Sequence, residues 1–227
     1  MTNTAALTDH IREANELMLH QHGANHLGAG YTRNAEEARL QYALMMDVVR
    51  DPADTGHVLD LGCGFAHLLD YIRATPKLAH LTYTGVDLSA EFLTAAQERH
   101  PEADLRCLDL LQDASQMPEV DYVIMNGVFN YRGEIAQDDM VAYWEKMVLT
   151  AFRFARKGIA FNAMSKHVDW ERDDLFHLPL DRMAGFVKTN LSRHFVIRHD
   201  YPAYEYTTFV YRRPWSPELR LRWPRTR

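Results

Sequence analysis

The run Val58-Leu-Asp-Leu-Gly-Cys-Gly-Phe-Ala-His67 constrains this chain more than any other segment. An apolar strand signature passes directly into a glycine-bearing turn and then into a helical pattern. His57, Val58 and Leu59 carry the apolar and β-branched character of a strand buried on both faces, as in a parallel sheet covered by helices. Gly62 and Gly64 permit a tight turn with close backbone approach. Apolar spacing of helical period resumes from Ala66 through Arg73. Such a succession leaves bare backbone against which a nucleotide-sized ligand can press.

A dinucleotide-binding turn reads G-x-G-x-x-G or ends in Ala, so that a pyrophosphate sits on the helix N-terminus. Here that last place is His67, and the small residue falls one position earlier, giving D-x-G-x-G-x-A from Asp60. An acidic strand end repels a pyrophosphate and suits a cofactor that carries an ammonium and a sulfonium. The pattern resembles motif I of the class I S-adenosylmethionine-dependent methyltransferases, (D/E)-x-G-x-G-x-G, with Ala66 in place of the last glycine. A second strand reading, Leu81 to Ser89, ends in a carboxylate at Asp87, 25 residues after Gly62. That position suits acceptance of hydrogen bonds from both ribose hydroxyls, and Ser89 is placed to cap the next helix.

The resemblance covers about Val58 to Asn130 and implies further cofactor contacts. Cys63 and Leu88 lie within the glycine turn and beside Asp87. Asp109, at the tip of a third strand from Leu105, would meet the adenine amino group, and the Leu110 backbone N–H the ring. The fourth strand, Val120 to Asn126, would bring its Asn-Gly turn to the transferable methyl group. In many small-molecule methyltransferases the segment ahead of motif I folds over the cofactor, which makes Tyr31 and Arg33 candidates for the sulfonium and the methionine carboxylate.

The implied fold is α/β: a Rossmann-like, doubly wound seven-stranded sheet with an antiparallel last strand, helices on both faces and an N-terminal helical lid. Residues 1–52 read as the cap, 53–213 as the cofactor-binding domain and 214–227 as a basic tail. Leu7, Ile11, Ala14, Leu17 and Met18 fall at helical spacing, and Asn34-Ala-Glu-Glu37 opens a second helix with Leu40, Leu44 and Val48 on one face. Asp138 to Ala155 reads as a helix, Gly158 to Met164 as the fifth strand and Pro179 to Leu191 as a helix. Phe195 to Arg198 with Glu205 to Tyr211 read as a closing hairpin.

The 227 residues, 47% of them hydrophobic, suffice for one domain with modest additions. A net charge of −6 argues against a general nucleic-acid binder. Two cysteines make no disulfide framework and point to a reducing cytoplasm. No signal peptide, membrane span or repeat is expected, and no metal-ligand spacing is found. The segment Arg212–Arg227 holds six arginines, open to RNA, an acidic partner, a second subunit or plain solvation.

Acceptor chemistry is expected around Ser165 to His177, a charged and aromatic loop at the edge where open α/β sheets bind ligands. His167 is the candidate general base, having the pKa range for that work. Asn130 and Tyr131 are candidates to orient the acceptor. Phe129, Trp170 and Phe176 either wall the sulfonium by cation–π contact or roof the core. The chain lacks the Asn-Pro-Pro-aromatic motif used on flipped bases. The leading expectation is therefore methyl transfer from S-adenosylmethionine to a small metabolite, with O, N or S as acceptor. Three alternatives stand beside it: a cyclase of the azetidine-2-carboxylate synthase type that releases methylthioadenosine, a nicotinamide-dependent oxidoreductase, and a non-catalytic cofactor-binding protein.

Overall fold

The computed structural model describes residues 4–30, 35–51, 53–115 and 117–214. Seven strands form one sheet in the order β3-β2-β1-β4-β5-β7-β6. They are β1 (His57–Leu61), β2 (Thr82–Asp87), β3 (Asp104–Cys107), β4 (Val120–Met125), β5 (Ala155–Met164), β6 (Phe195–Arg198) and β7 (Glu205–Tyr211). β1 through β5 are parallel, whereas β7 runs antiparallel to both β5 and β6. The α/β sheet with an antiparallel final strand thus has the expected form. The chain winds outward from β1 to β3 and then crosses to β4 on the other side of β1. A crevice opens at that reversal, beyond the carboxyl ends of the strands.

The helices are α1 (Thr4–His22), α2 (Ala35–Met46), α3 (His67–Ala74), α4 (Ala90–Arg99), α5 (Gln137–Phe154) and α6 (Leu180–Asn190). α5 buries Met140, Tyr143, Trp144, Met147 and Ala151 in one stripe, with Trp144 fully enclosed against Phe161 of β5. That spacing is what a core-facing helix requires. On the opposite side of the sheet, Tyr42 and Met45 of α2 join Leu68 and Ile72 of α3 over Val58 and Ile124. Leu40 is only half-buried, because the inward face of α2 follows Ala38, Tyr42 and Met45.

α1 belongs to the core at its start only. Leu7 and Ile11 are buried, while Leu17 is 55% exposed. Polar bonds hold the helix across the β2 and β3 tips: Thr8 Oγ1 donates to Asp109 Oδ2 at 3.0 Å, and Ser89 Oγ donates to Glu16 Oε1 at 2.7 Å.

β5 starts three residues earlier than the sequence suggests, at Ala155, directly after α5 ends. Arg212 explains how a helix can stop without a loop. Its guanidinium stacks on Phe152 at 4.0 Å and donates to the Ala155 carbonyl at 2.9 Å, occupying acceptors that a helix C-terminus leaves open. The first arginine of the basic run is therefore structural, and residues 215–227 lie outside the described part. Among the described residues no helix is long and apolar enough to cross a membrane.

Candidate active site

A cavity of about 600 Å³ lies over the carboxyl edge of β1, β2, β4 and β5, within the range of small-molecule sites. Its first end is built by the glycine turn. Gly62 and Cys63 both donate backbone N–H groups to the Val86 carbonyl, at 2.7 and 3.0 Å, so the turn leaves β1 by gripping the end of β2. Gly62 has φ +80°, and a Cβ there would meet Val128 Cγ2 at 2.7 Å. Gly64, with φ +52°, donates its N–H to Asp87 Oδ2 at 2.8 Å. Ser89 N–H takes the other oxygen at 2.9 Å, and the Ser89 hydroxyl caps α4 as expected by accepting from Phe92 N–H at 3.3 Å.

Two carboxylates stand on this wall, Asp60 buried and Asp87 half-buried. Burial pushes the Asp60 carboxyl up to about 7, a bond from the Tyr83 hydroxyl at 2.9 Å pulls the other way, and the Asp87 charge raises it again. Burial also raises Asp87, opposed by the N–H groups of Ser89 and Gly64. The Cys63 thiol is driven well above its ordinary range by burial and by both carboxylates, which leaves it neutral and unreactive. Two desolvated acids facing a cavity are costly unless a positive ligand offsets them. With a glycine turn that presents backbone, they match a cofactor having a nucleoside, an ammonium and a sulfonium.

Asp109 is placed elsewhere. Its oxygens accept from Leu111 N–H at 2.8 Å, Gln112 Nε2 at 2.8 Å and Thr8 Oγ1, so it closes the turn after β3 and anchors α1. The cavity wall takes Leu108 and Leu110 from that turn instead. Leu88 and Asn126 also stand on the wall. Tyr31 and Arg33 lie outside the described residues.

The second end is made by the tips of β4 and β5, the start of β7 and the 165–177 loop. Asn162, fully buried in β5, accepts from Gly127 N–H at 2.7 Å and donates to Asn126 Oδ1 at 3.3 Å. Asn130 Nδ2 donates to Glu205 Oε2 at 2.9 Å. The loop is laced to this floor: Phe176 N–H donates to Asn130 O, Ser165 N–H to Tyr204 O, and the Arg132 and Gly133 N–H groups to Asp174 O.

Of the acceptor candidates, Asn130, Tyr131 and Trp170 stand on the cavity wall, with Trp170 52% exposed and 5.4 Å from the Tyr204 ring. Phe129 and Phe176 do not, being fully buried; Phe129 packs edge-on against Tyr143 and Phe161. Their apolar surface is worth more in the core than beside a polar ligand. His167 is also off the wall. It is exposed and its backbone N–H is turned onto Ser165 Oγ at 2.9 Å.

The histidine on the wall is His177, 4% exposed. Its Nδ1 donates to the Ser165 carbonyl at 2.6 Å and its Nε2 accepts from Arg172 N–H at 3.3 Å, a tautomer set by those two partners. Both nitrogens are used in folding the loop, so the ring positions rather than transfers protons.

Sequence reasoning missed Glu205, Asn162 and His177. The signal for Glu205 is present in the sequence: an antiparallel strand brings its first residue, rather than its last, to the edge where the parallel strands end. Asn162 was a lone amide inside the apolar run Gly158-Ile-Ala-Phe-Asn-Ala-Met164. Among the described residues no group of three His, Cys, Asp or Glu side chains is placed to hold a metal ion.

A family profile described as a methyltransferase domain matches residues 59–150. The Mycobacterium tuberculosis protein Rv1506c, which carries a provisional methyltransferase name, is 31% identical over 163 residues, 70% of this chain and 94% of its own length. The chain belongs to the methyltransferase family. The fold is shared with magnesium protoporphyrin IX methyltransferase of Synechocystis PCC 6803, solved with S-adenosylmethionine bound, at TM-score 0.62 and 14% identity over 94% of this chain and 99% of that one. An S-adenosylmethionine-dependent methyltransferase from Clostridium acetobutylicum matches at TM-score 0.53 and 13% identity, over 77% of this chain and 91% of that one.

Proposed function

We propose that this chain transfers the methyl group of S-adenosylmethionine to a small molecule held at the β4–β5–β7 end of the cavity. The observation that carries the reading is the division of one cavity into two chemically distinct ends. Buried Asp60, half-buried Asp87 and the glycine turn favour a cationic nucleoside at one, while amides and aromatic side chains leave room for a second molecule at the other. Bound there, the cofactor supplies an electrophilic methyl carbon on a sulfur that leaves as a neutral thioether.

Asp87, each oxygen already taking one backbone N–H, keeps lone pairs for the two ribose hydroxyls. Asp60 faces the aminoacyl end, where an ammonium offsets its buried charge. Leu88, Leu108 and Leu110 offer the base an apolar slot. Asn126 and the Gly127 turn, fixed by Asn162, form the floor between cofactor and acceptor. Tyr131 and Trp170 border the acceptor end, and α1, with Glu37 and Gln41 of α2 beside it on the wall, covers the cavity as a lid. The protein's contribution is then orientation and exclusion of water, the main source of rate for an in-line displacement between two bound molecules.

Mass spectrometry of the purified protein with methyl-labelled cofactor and a metabolite extract tests the reading. A labelled acceptor together with S-adenosylhomocysteine supports it. Methylthioadenosine formed without any acceptor would replace it with the cyclisation chemistry, and no heat on titration with S-adenosylhomocysteine would remove the cofactor altogether.

A further inference from the structure

Two oxygens at the acceptor end have no partner. Glu205 is 3% exposed and stands on the cavity wall, its carboxyl raised by burial and lowered by the Asn162 and Asn130 amides, yet its Oε1 has no donor in hydrogen-bonding geometry; Asn130 Oδ1, on the same wall, is likewise buried and unmet. The bond from Asn130 Nδ2 to Glu205 Oε2 fixes both groups. A carboxylate only accepts, so the amide turns its NH₂ to Glu205 and leaves its carbonyl free. Both open atoms are therefore acceptors, and leaving them buried without donors is costly.

We propose that Glu205 and Asn130 form a subsite for an amino group, so that the small molecule at this end of the cavity is an amine. The inference rests on the reading of that end as the acceptor site. An ammonium brings three donor hydrogens and a positive charge, which supplies both open oxygens and neutralises the buried carboxylate; a hydroxyl brings one hydrogen and no charge. The surroundings favour a cation as well. The Tyr204 and Trp170 rings, 5.4 Å apart, stand on the same wall, and aromatic faces attract positive charge. Glu37 of α2 adds a second acid to the wall. Its arginines are already committed, Arg12 to Glu16 at 2.7 Å and Arg172 to Asp174.

Position keeps this subsite apart from the cofactor acids. Glu205 pairs with Met164 at the end of β5, and in the strand order β1-β4-β5-β7 it lies three strands from Asp60. At about 4.8 Å per strand that is about 14 Å across the sheet, so the amine of an acceptor and the ammonium of the cofactor do not compete for one carboxylate.

Calorimetric titration of the full chain saturated with S-adenosylhomocysteine decides the matter, using benzylamine against benzyl alcohol and tyramine against tyrosol. The expected result is an amine bound at least tenfold more tightly than its alcohol. Glu205→Gln should erase that preference while S-adenosylhomocysteine affinity stays within twofold, which also reports that the variant is folded. Glu205→Asp, which keeps the charge but withdraws it by one methylene, should retain part of the preference. Alcohols binding as well as amines in the wild type, or a Gln variant that keeps the preference, would overturn the subsite. Loss of S-adenosylhomocysteine binding by the wild type would instead strike the cofactor reading beneath it.

Discussion

At the β1–β2 end of the cavity the decisive bond joins Gly64 to Asp87, 23 residues apart, and both belong to a strand, turn and helix run that folds locally. At the β4–β5–β7 end the corresponding bond joins Asn130 to Glu205 across 75 residues, and nothing in either neighbourhood announces the other. The first end is held by backbone: glycine φ angles and N–H groups aimed at carboxylates. The second is held by side-chain amides and by a loop whose fixed points are carbonyls of distant residues. A fold can therefore keep the first end while re-using the second for another acceptor, since side chains change without disturbing a ladder.

The largest expected effect tests the first end directly. Asp87→Ala removes the acceptor of Gly64 N–H and the one proposed for the ribose, and loss of hydrogen bonds to a charged group, about 1.5–3 kcal/mol, should weaken S-adenosylhomocysteine about 100-fold by calorimetry. Unchanged affinity would move the cofactor away from this end. Next comes Gly62→Ala, whose new methyl meets Val128 at 2.7 Å at a φ of +80°. It should lower stability by about 2 kcal/mol in denaturant titration. An unaffected midpoint would mean that the turn is not the rigid piece described.

The second end answers to different changes. His177→Ala removes two hydrogen bonds that fold the 165–177 loop, about 1 kcal/mol each, and should raise the acceptor KM about tenfold with cofactor affinity intact. His167→Ala should leave both within twofold. The reverse pattern would restore His167 as the working histidine.

A pH titration sharpens the contrast further. The folded chain holds the Asp60 proton up to about pH 7, against an ordinary value of 3.8. Folding stability contributed by this group is therefore greatest at acid pH, declines as pH rises from about 4 to about 7, and is flat above. A cationic cofactor needs the ionised form, so its affinity should rise with pH through the same upper limit, with proton release on binding near pH 6. Asp60→Asn should flatten that slope without touching the acceptor KM. A slope retained in the variant would assign the titration to Asp87, the neighbouring raised carboxyl.

The same difference explains what was legible beforehand. Strand order, the glycine turn, the Asp60 and Asp87 tips and the antiparallel last strand are written in short runs of sequence, each with its own local physics. Phe129, Phe176 and His167 read as site residues because they flank the site in sequence. Where each side chain points depends on tertiary contacts: two aromatic rings go to the core, and the loop folds around His177 instead. Glu205 was hidden by strand direction, and Asp109 by an α1 contact through Thr8 that no local pattern specifies.

The smallest expected effect concerns Ala66, which stands where the family pattern places a glycine and has a left-handed φ of +56°. Relief of that strain by Ala66→Gly would favour the variant by about 1–2 kcal/mol. Two terms oppose it. The Ala66 methyl is fully buried against Leu69 and Ala96, and deleting it forfeits about 0.8 kcal/mol. Glycine also frees the unfolded chain by about 0.4–1 kcal/mol. The sum is close to zero, so the midpoint of unfolding should move by less than about 0.5 kcal/mol. Gly62→Ala, four residues away, has no such offset, because its methyl gains strain and a clash together. A stabilisation of Ala66→Gly beyond about 1.5 kcal/mol would show that the helix start stores strain, and that the turn owes its shape to its surroundings rather than to its own packing.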